Sequence, residues 1–303
     1  MVLDGIINVY KEAGFTSHDV VAKLRGILHQ KKIGHTGTLD PEATGVLPVC
    51  CGKATKVCEL LTDKDKSYRA VCRLGIETDT QDMTGKILKE YDTSGITEEK
   101  IRSCVSEFQG DIMQIPPMYS ALKVNGKKLY ELAREGKTIE RKARQVHIES
   151  IDIIDIDMGK YTFTMDVTCS KGTYIRTLCH DIGKKLGIAA AMESLIRTRV
   201  SIFELENAMT LSQIQKLADE DMDRLKEKII TVDSLFPDYP KLYVNESGAK
   251  YLSNGNSLKK EDFLDSDNLK VKEGQKVLVY DENRCFKAIY VLNGREYKVK
   301  KMF

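Results

Sequence analysis

The chain has almost no net charge. Its 303 residues include 47 basic and 45 acidic side chains, a formal +2, so affinity for a polyanion must come from local patches rather than from the molecule as a whole. It has no Cys-x-x-Cys pair despite eight cysteines, which removes the paired-ligand spacing of a structural zinc site. Cys50 and Cys51 stand in an apolar run, and Cys58, Cys72 and Cys104 in apolar segments, so most thiols read as small core side chains kept reduced in the cytosol. Cys169, Cys179 and His180 argue no better for metal, because Cys179 and His180 adjoin on a predicted helix and diverge by about 100°. No apolar run reaches the roughly 18 residues that cross a bilayer. The opening MVLDGIINVYKEAG places Asp4 where a secretory leader carries a basic segment and an apolar core. A cytoplasmic protein without membrane contact is expected. Phosphate-binding glycine loops, dinucleotide fingerprints, internal repeats and low-complexity segments are absent from the sequence.

What is present suffices for a large core and leaves room for two domains. The hydrophobic share of 42% and charged share of 30% are those of a soluble globular chain. Charge is uneven along it. Residues 123–144 hold eight basic side chains against three acidic ones, and residues 241–303 hold 13 against nine. Such runs suit a solvated face, and two separate ones also suit phosphate contacts along a nucleic acid.

In the stretch IGHTGTLDPEATGVLPV (33–49), Gly34, Gly37, Gly45 and Pro41 surround the carboxylate of Asp40. Glycine admits positive φ and close backbone approach, and proline drives the preceding residue towards extended geometry, so Asp40 is expected on a tight, non-helical loop. The run from Gly45 reads as a buried strand carrying that loop. Taken alone, an Asp-Pro pair among glycines is also an ordinary structural turn.

Elsewhere the pattern predicts a strand over 5–10 and a helix from about Ser17, with Ser17 as N-cap and Val20, Val21, Leu24, Ile27 and Leu28 on one face. A helix is expected over 53–62, then a strand from Lys66 that puts Tyr68, Ala70, Cys72 and Leu74 on one side. Asp79 and Asp82, among threonines, read as turn carboxylates more economically than as a metal pair. Thr97 caps a helix running to Phe108. Pro116-Pro117 fixes extended backbone, Asn125-Gly126 signals a turn, and 127–135 makes a short basic helix anchored by Leu129 and Leu132. Strands over 145–157 and 160–169 pair antiparallel around Gly159. Gly172 and Thr173 open a helix with the apolar stripe Ile175, Leu178, Cys179, Ile182 and Leu186, flanked by Tyr174 and Arg176. Past Pro240 the texture turns β-rich, with one short helix (246–252) and strands over 275–280 and 286–292.

The order GHTGTLDPEATGVLP closely resembles the signature of the TruB family of tRNA pseudouridine synthases, and the likeness runs over nearly the whole chain. It implies an α+β fold with a central mixed, largely antiparallel sheet over residues 1–238, and a small β-rich, PUA-like RNA-binding domain over 239–303. The implied reaction converts a uridine in the tRNA T-arm, position 55, to pseudouridine without a cofactor. The glycosidic bond C1′–N1 breaks, the flipped-out base turns, and the link re-forms at C5. Asp40 is the implied catalytic residue. Lys66-Ser-Tyr matches the motif whose tyrosine stacks on the target base, here Tyr68. KGTYIRTL makes Arg176 the ion-pair partner of Asp40, expected to lower its pKa, with Tyr174 a nearby hydroxyl. Leu195 and Arg197, in SLIRTR, match a further active-site segment. NVYKEAGFTSHDVV matches the first motif through Lys11, although Glu12 stands where the family has proline. His35, by itself a structural hydrogen-bonder, would help extrude or hold the RNA loop. The QIPPMYSALKVNGKKLYELAREG insertion would close over the RNA and bring Lys127, Lys128 and Arg134 to it. No protein partner is implied, and a monomer is expected. A guide-RNA-dependent synthase of the Cbf5 type shares the Asp40 motif, but the basic insertion and the absence of an added N-terminal arm favour the stand-alone form. A non-catalytic tRNA chaperone would need the basic segments without Asp40, Tyr68 and Arg176.

Overall fold

The strand Gly5–Lys11 is buried along nearly its whole length and pairs antiparallel with Thr44–Cys51, from Gly5 opposite Cys51 to Lys11 opposite Gly45. This register places Lys11 where the Asp40 loop enters its strand. In the computed structural model, which describes residues 2–124, 126–264 and 270–303, the pair forms one side of a nine-stranded sheet. The sheet continues through Ala190–Val200, Lys66–Leu74, Thr162–Cys169, Arg144–Asp157 and Gly110–Gln114, with Ile33–His35 and Phe203–Glu204 added at the side. Among the described strands of this sheet, only Ala190–Val200 and Thr44–Cys51 pair parallel, so it is mixed and largely antiparallel, as the family resemblance implies.

Period-two alternation decides the faces. Tyr68, Ala70, Cys72 and Leu74 join Phe163, Met165 and Val167 in one core, closed by Ile175, Leu178, Cys179 and Ile182 of the helix Ile175–Lys185. Each such aliphatic side chain contributes about 1.5–3 kcal/mol on burial. Val9, Leu47 and Val49 pack on Val20, Val21 and Leu24 of the helix Ser17–Ile27 and on Leu211 and Ile214 of the helix Leu211–Glu220.

Two helix starts differ from the sequence reading. Thr16, not Ser17, is the N-cap: its hydroxyl accepts the Asp19 N–H while Asp19 accepts the Thr16 N–H. Ser17 is freed for another task, described below. The helix read as opening at Gly172 begins at Ile175, because Gly172 takes φ +81° in a turn. The insertion helix is shorter than expected, Leu129–Arg134, with Lys127–Lys128 paired to Lys123–Val124 as a small hairpin. Leu129 and Leu132 are its buried anchors. Asn125, of the expected Asn-Gly turn, lies outside the described residues.

A five-stranded sheet follows, ordered Lys241–Tyr243, Lys276–Tyr280, Phe286–Asn293, Glu296–Met302, Leu258–Lys259, with the helix Glu246–Ser253 against it. It has its own core around Val244, Leu252, Val277 and Tyr290. The seam with the larger sheet is apolar: Phe286 and Phe303 pack against the group containing Val200, Phe203 and Val232. Lys56 Nζ donates to the Met302 carbonyl at 2.8 Å across it.

Candidate active site

Asp40 stands on an extended loop that is bolted to the sheet from several sides. Ser17 Oγ accepts the Leu39 N–H at 2.9 Å. Lys11 Nζ donates to the carbonyls of Pro41 at 2.8 Å, Ala43 at 2.6 Å and Glu12 at 3.1 Å. Arg197 donates from Nε to Val46 O at 2.7 Å and from Nη2 to Gly37 O at 3.3 Å. Gly45 takes φ +103°, and a Cβ there would collide with the Arg197 backbone, so this strand crossing requires glycine. Lys11 and Arg197 are fully buried. Their hydrogen bonds go to carbonyls of the loop and its strand, so both side chains hold the loop in place. Residue type was legible in the sequence; the inward direction of both side chains was not.

The Asp40 carboxylate meets Arg176 edge-on, with Nε 2.9 Å from Oδ2 and Nη2 3.2 Å from Oδ1. The Arg176 side chain is 6% exposed and that of Asp40 39%, so the base of the pair is fixed in protein while its carboxylate faces out. Arg176 also donates to the carbonyls of Thr80 at 3.0 Å and Tyr119 at 2.8 Å. Asp82 Oδ2 is 3.7 Å from Arg176 Nε. Asp82 does form the predicted turn, accepting from Thr80 and from the Thr84 N–H, but the turn also delivers a second carboxylate to the arginine. Nothing in the sequence separation of Asp82 and Arg176 signals that meeting. The pKa of Asp40 is raised, not lowered as the ion pair alone suggested. Burial is the largest cause and Asp82 adds to it, while Arg176 and Lys11 pull the other way.

Tyr68 lies directly across from Arg197 in the strand pair. The residue is 8% exposed, and burial pushes its hydroxyl up to about 12. Tyr174 is half-buried just before the helix that carries Arg176, and burial raises the pKa of its hydroxyl. His35 accepts the Gly37 N–H at Nδ1, 3.3 Å, and stands edge-on to His18; burial holds its pKa down to about 4, so it is neutral at physiological pH. Lys127 and Arg134 are exposed on the insertion, and Lys128 lies over Tyr130. These three join the site through the insertion's backbone, not by direct contact with Asp40.

A cleft of about 330 Å³ opens at Asp40, lined by Glu42, Ala43, Asp82, Met83, Thr84, Met192, Glu193, Ser194 and Leu195. Four carboxylates at its wall repel phosphate, while the apolar Ala43, Met83, Met192 and Leu195 offer packing for a neutral ring. A flat, uncharged group fits this chemistry, with any phosphates held outside.

Residues 25–175 match the TruB family pseudouridylate synthase N-terminal domain, and residues 176–236 the tRNA pseudouridylate synthase B C-terminal domain. The chain is 51% identical to the tRNA pseudouridine synthase B of Lachnoclostridium phytofermentans, covering 99% of this chain and 100% of that one. It is 44% identical to the enzyme of that name from Staphylococcus haemolyticus, with 99% of each covered. Among solved structures, a Cbf5-Nop10-Gar1 complex aligns with a TM-score of 0.73 at 28% identity, over 99% of this chain and 85% of that one. With this motif geometry, matched family domains and near full-length relatives, the chain belongs to the TruB family of pseudouridylate synthases.

Proposed function

We propose that the protein isomerises the uridine at position 55, in the T-arm of tRNA, to pseudouridine, with Asp40 as the catalytic group. The observation that carries this reading is a half-exposed carboxylate at the mouth of an uncharged-ring-sized cleft, gripped from behind by a buried arginine. The reaction moves the ribose link from N1 to C5 and exchanges a proton from C5 for one on N1, so it needs no oxidant and no donor. Attack on the sugar or base and removal of a sugar proton both require Asp40 as the anion. Arg176 limits the cost of that charge in a buried place.

A uridine in a folded loop must leave its stack, at a cost of a few kcal/mol. Tyr68 and Leu195 supply ring and aliphatic surface for the flipped base, His35 supports the vacated loop, and Tyr174 presents a hydroxyl beside the ion pair. Phosphates are engaged by Lys127, Lys128 and Arg134 and by the basic C-terminal sheet, which acts as a PUA-like RNA-binding domain from about residue 239. The protein works as a monomer in the cytoplasm, without a guide RNA. Support for the stand-alone tRNA enzyme over a Cbf5-type particle comes from relatives named tRNA pseudouridine synthase B, matched at 51% identity against 28% for the Cbf5 complex.

Incubating the purified protein with an unmodified tRNA transcript and mapping pseudouridine at every uridine tests the proposal. One modified position, in the T-loop, is expected. No modification, or modification only when a second RNA is added, overturns it.

A further inference from the structure

Arg176 is placed by more than its carboxylates. Its Nη2 donates to the Tyr119 carbonyl at 2.8 Å and to Asp40 Oδ1 at 3.2 Å, so the carbonyl is the closer restraint on that nitrogen. The segment holding this carbonyl is tied to the insertion. Ser120 O accepts the Tyr130 N–H at 3.1 Å, and Leu122 O accepts the Leu129 N–H at 2.8 Å. Leu129 and Tyr130 open the helix Leu129–Arg134, and first-turn N–H groups have no acceptor inside their own helix. Without the 118–122 strap they would be unpaired. The strap is bent by the Ser120 N–H donating to Met118 O at 2.9 Å, and Ser120 is 5% exposed. Its path leaves little room to move one end without the other.

The far end of the strap carries the charges. Arg134 is on the insertion helix, Lys127 and Lys128 stand immediately before it, and the Tyr130 ring has Lys128 5.3 Å and Arg134 5.4 Å from its centroid. From the Tyr130 amide the chain of contacts runs to Ser120, one residue back to the Tyr119 carbonyl, to Arg176 and to Asp40. We infer that the Tyr130–Ser120 hydrogen bond makes the basic insertion a positioning element for Arg176, so that phosphate engagement there sets the catalytic ion pair as well as docking the RNA. The inference rests on the synthase reading above.

The test removes one N–H and leaves every side chain in place, changing otherwise only the Leu129 carbonyl, which becomes a weaker acceptor. Tyr130 is replaced by its α-hydroxy acid, which keeps the ring and every charge and turns the Leu129–Tyr130 amide into an ester. The tRNA Kd is expected to stay within about twofold, because no phosphate contact is touched. The single-turnover rate constant should fall about tenfold as Arg176 loosens. The groups facing the Asp40 carboxyl are Arg176, Asp82 and Lys11, with the hydroxyls of Tyr68 and Tyr174. Of these only Arg176 is reached through the strap, and it lowers the Asp40 pKa, so the acid limb of the rate profile should move to higher pH. If the ester does not fold, Tyr130→Pro removes the same N–H at a first-turn position that tolerates proline. A folded variant with wild-type rate constant and acid limb, or with weaker binding at an unchanged rate constant, overturns the coupling. A wild-type protein that makes no pseudouridine sinks the synthase reading instead.

Discussion

Arg176 approaches Asp40 through the edge of its guanidinium, Nε to Oδ2 at 2.9 Å and Nη2 to Oδ1 at 3.2 Å. Lysine could not reproduce this arrangement, which uses three nitrogens of one plane to reach Asp40, Thr80 O and Tyr119 O at once. A buried cation with so many fixed acceptors is costly to move, so the carboxylate it holds is pre-oriented before substrate arrives. Burial raises the Asp40 pKa and Arg176 restrains the rise. The Asp40 carboxylate is therefore more basic than that of a free aspartate, with Arg176 opposing the shift.

Lys11 is expected to act on rate through the loop, not through substrate. Lys11→Met removes three donors from the carbonyls of Glu12, Pro41 and Ala43, and unsatisfied buried acceptors cost about 1–3 kcal/mol each. Turnover should drop about tenfold or more as Asp40 loses its alignment, with tRNA affinity little changed. Burial lowers the Lys11 pKa to about 8. Between about 8 and the unfolded value near 10.4 the unfolded chain holds the extra proton, so this residue's contribution to stability grows as pH rises across that window. Buried thiols such as Cys51 and Cys169, raised to about 12 and about 11, titrate in the opposite sense. The measurement is therefore the difference in urea midpoint between wild type and variant at pH 8 and pH 10. A difference that shrinks with pH contradicts the assignment.

Much of this arrangement was legible because it sits in short motifs or in alternation. Asp40, Arg176 and the Tyr68 strand face fall in these classes. What escaped had a physical reason. The carbonyls of Thr80 and Tyr119 are backbone groups that no residue identity advertises. Lys11 and Arg197 are long cations that sequence reading turns outward by default, and only the close crossing at Gly45 shows why they point in. Thr16 and Ser17 are both competent caps, and the choice depended on Leu39 claiming Ser17. The strand Glu296–Met302 escaped because it is rich in charge, with Tyr297 its one fully buried side chain.

Replacing Lys127, Lys128 and Arg134 together with alanine should weaken tRNA binding and flatten its salt dependence. Each lost phosphate contact removes about 0.9 from the slope of log K against log salt. Lys127 is 61% exposed and only 3.9 Å from Glu135, a weak pair that leaves it free for phosphate. Binding measured over a series of salt concentrations decides the matter, and an unchanged slope would place the RNA on another face.

Deleting residues from Lys241 onward should leave a folded larger domain with weaker tRNA binding. The seam sets the penalty: loss of Phe286 and Phe303 uncovers Phe236 and part of the Val200–Phe203 group. Burying a phenylalanine is worth about 1.5–3 kcal/mol, so the melting temperature should fall by several degrees, roughly 2–4 °C per kcal/mol for a domain of this size. Circular dichroism on heating, paired with tRNA affinity, checks both halves. A truncated chain with no cooperative transition would show that the two sheets fold as one unit.

Asp40→Asn separates enzyme from binder. Asparagine keeps the size of aspartate, suits an extended loop before Pro41, and leaves Arg176 with Thr80 O, Tyr119 O and Asp82, so the variant should fold. Its stability can be signed in advance. A carboxyl whose folded pKa is raised favours folding at low pH and loses that contribution as pH rises through the folded value. At pH 7 wild type therefore bears a cost that the neutral amide avoids, offset by the weaker hold on Arg176. The variant's melting temperature relative to wild type should rise as pH is taken from 4 to 7. tRNA affinity should remain within about threefold, because the phosphate contacts lie outside the cleft. Pseudouridine formation should disappear, since no amide can serve as the anion and the other carboxylate at the arginine, Asp82, is spent on Thr80 and Thr84. Appreciable product from a folded Asp40→Asn protein, measured alongside its melting curve, would remove Asp40 from the chemistry and return the loop to the role of a structural turn.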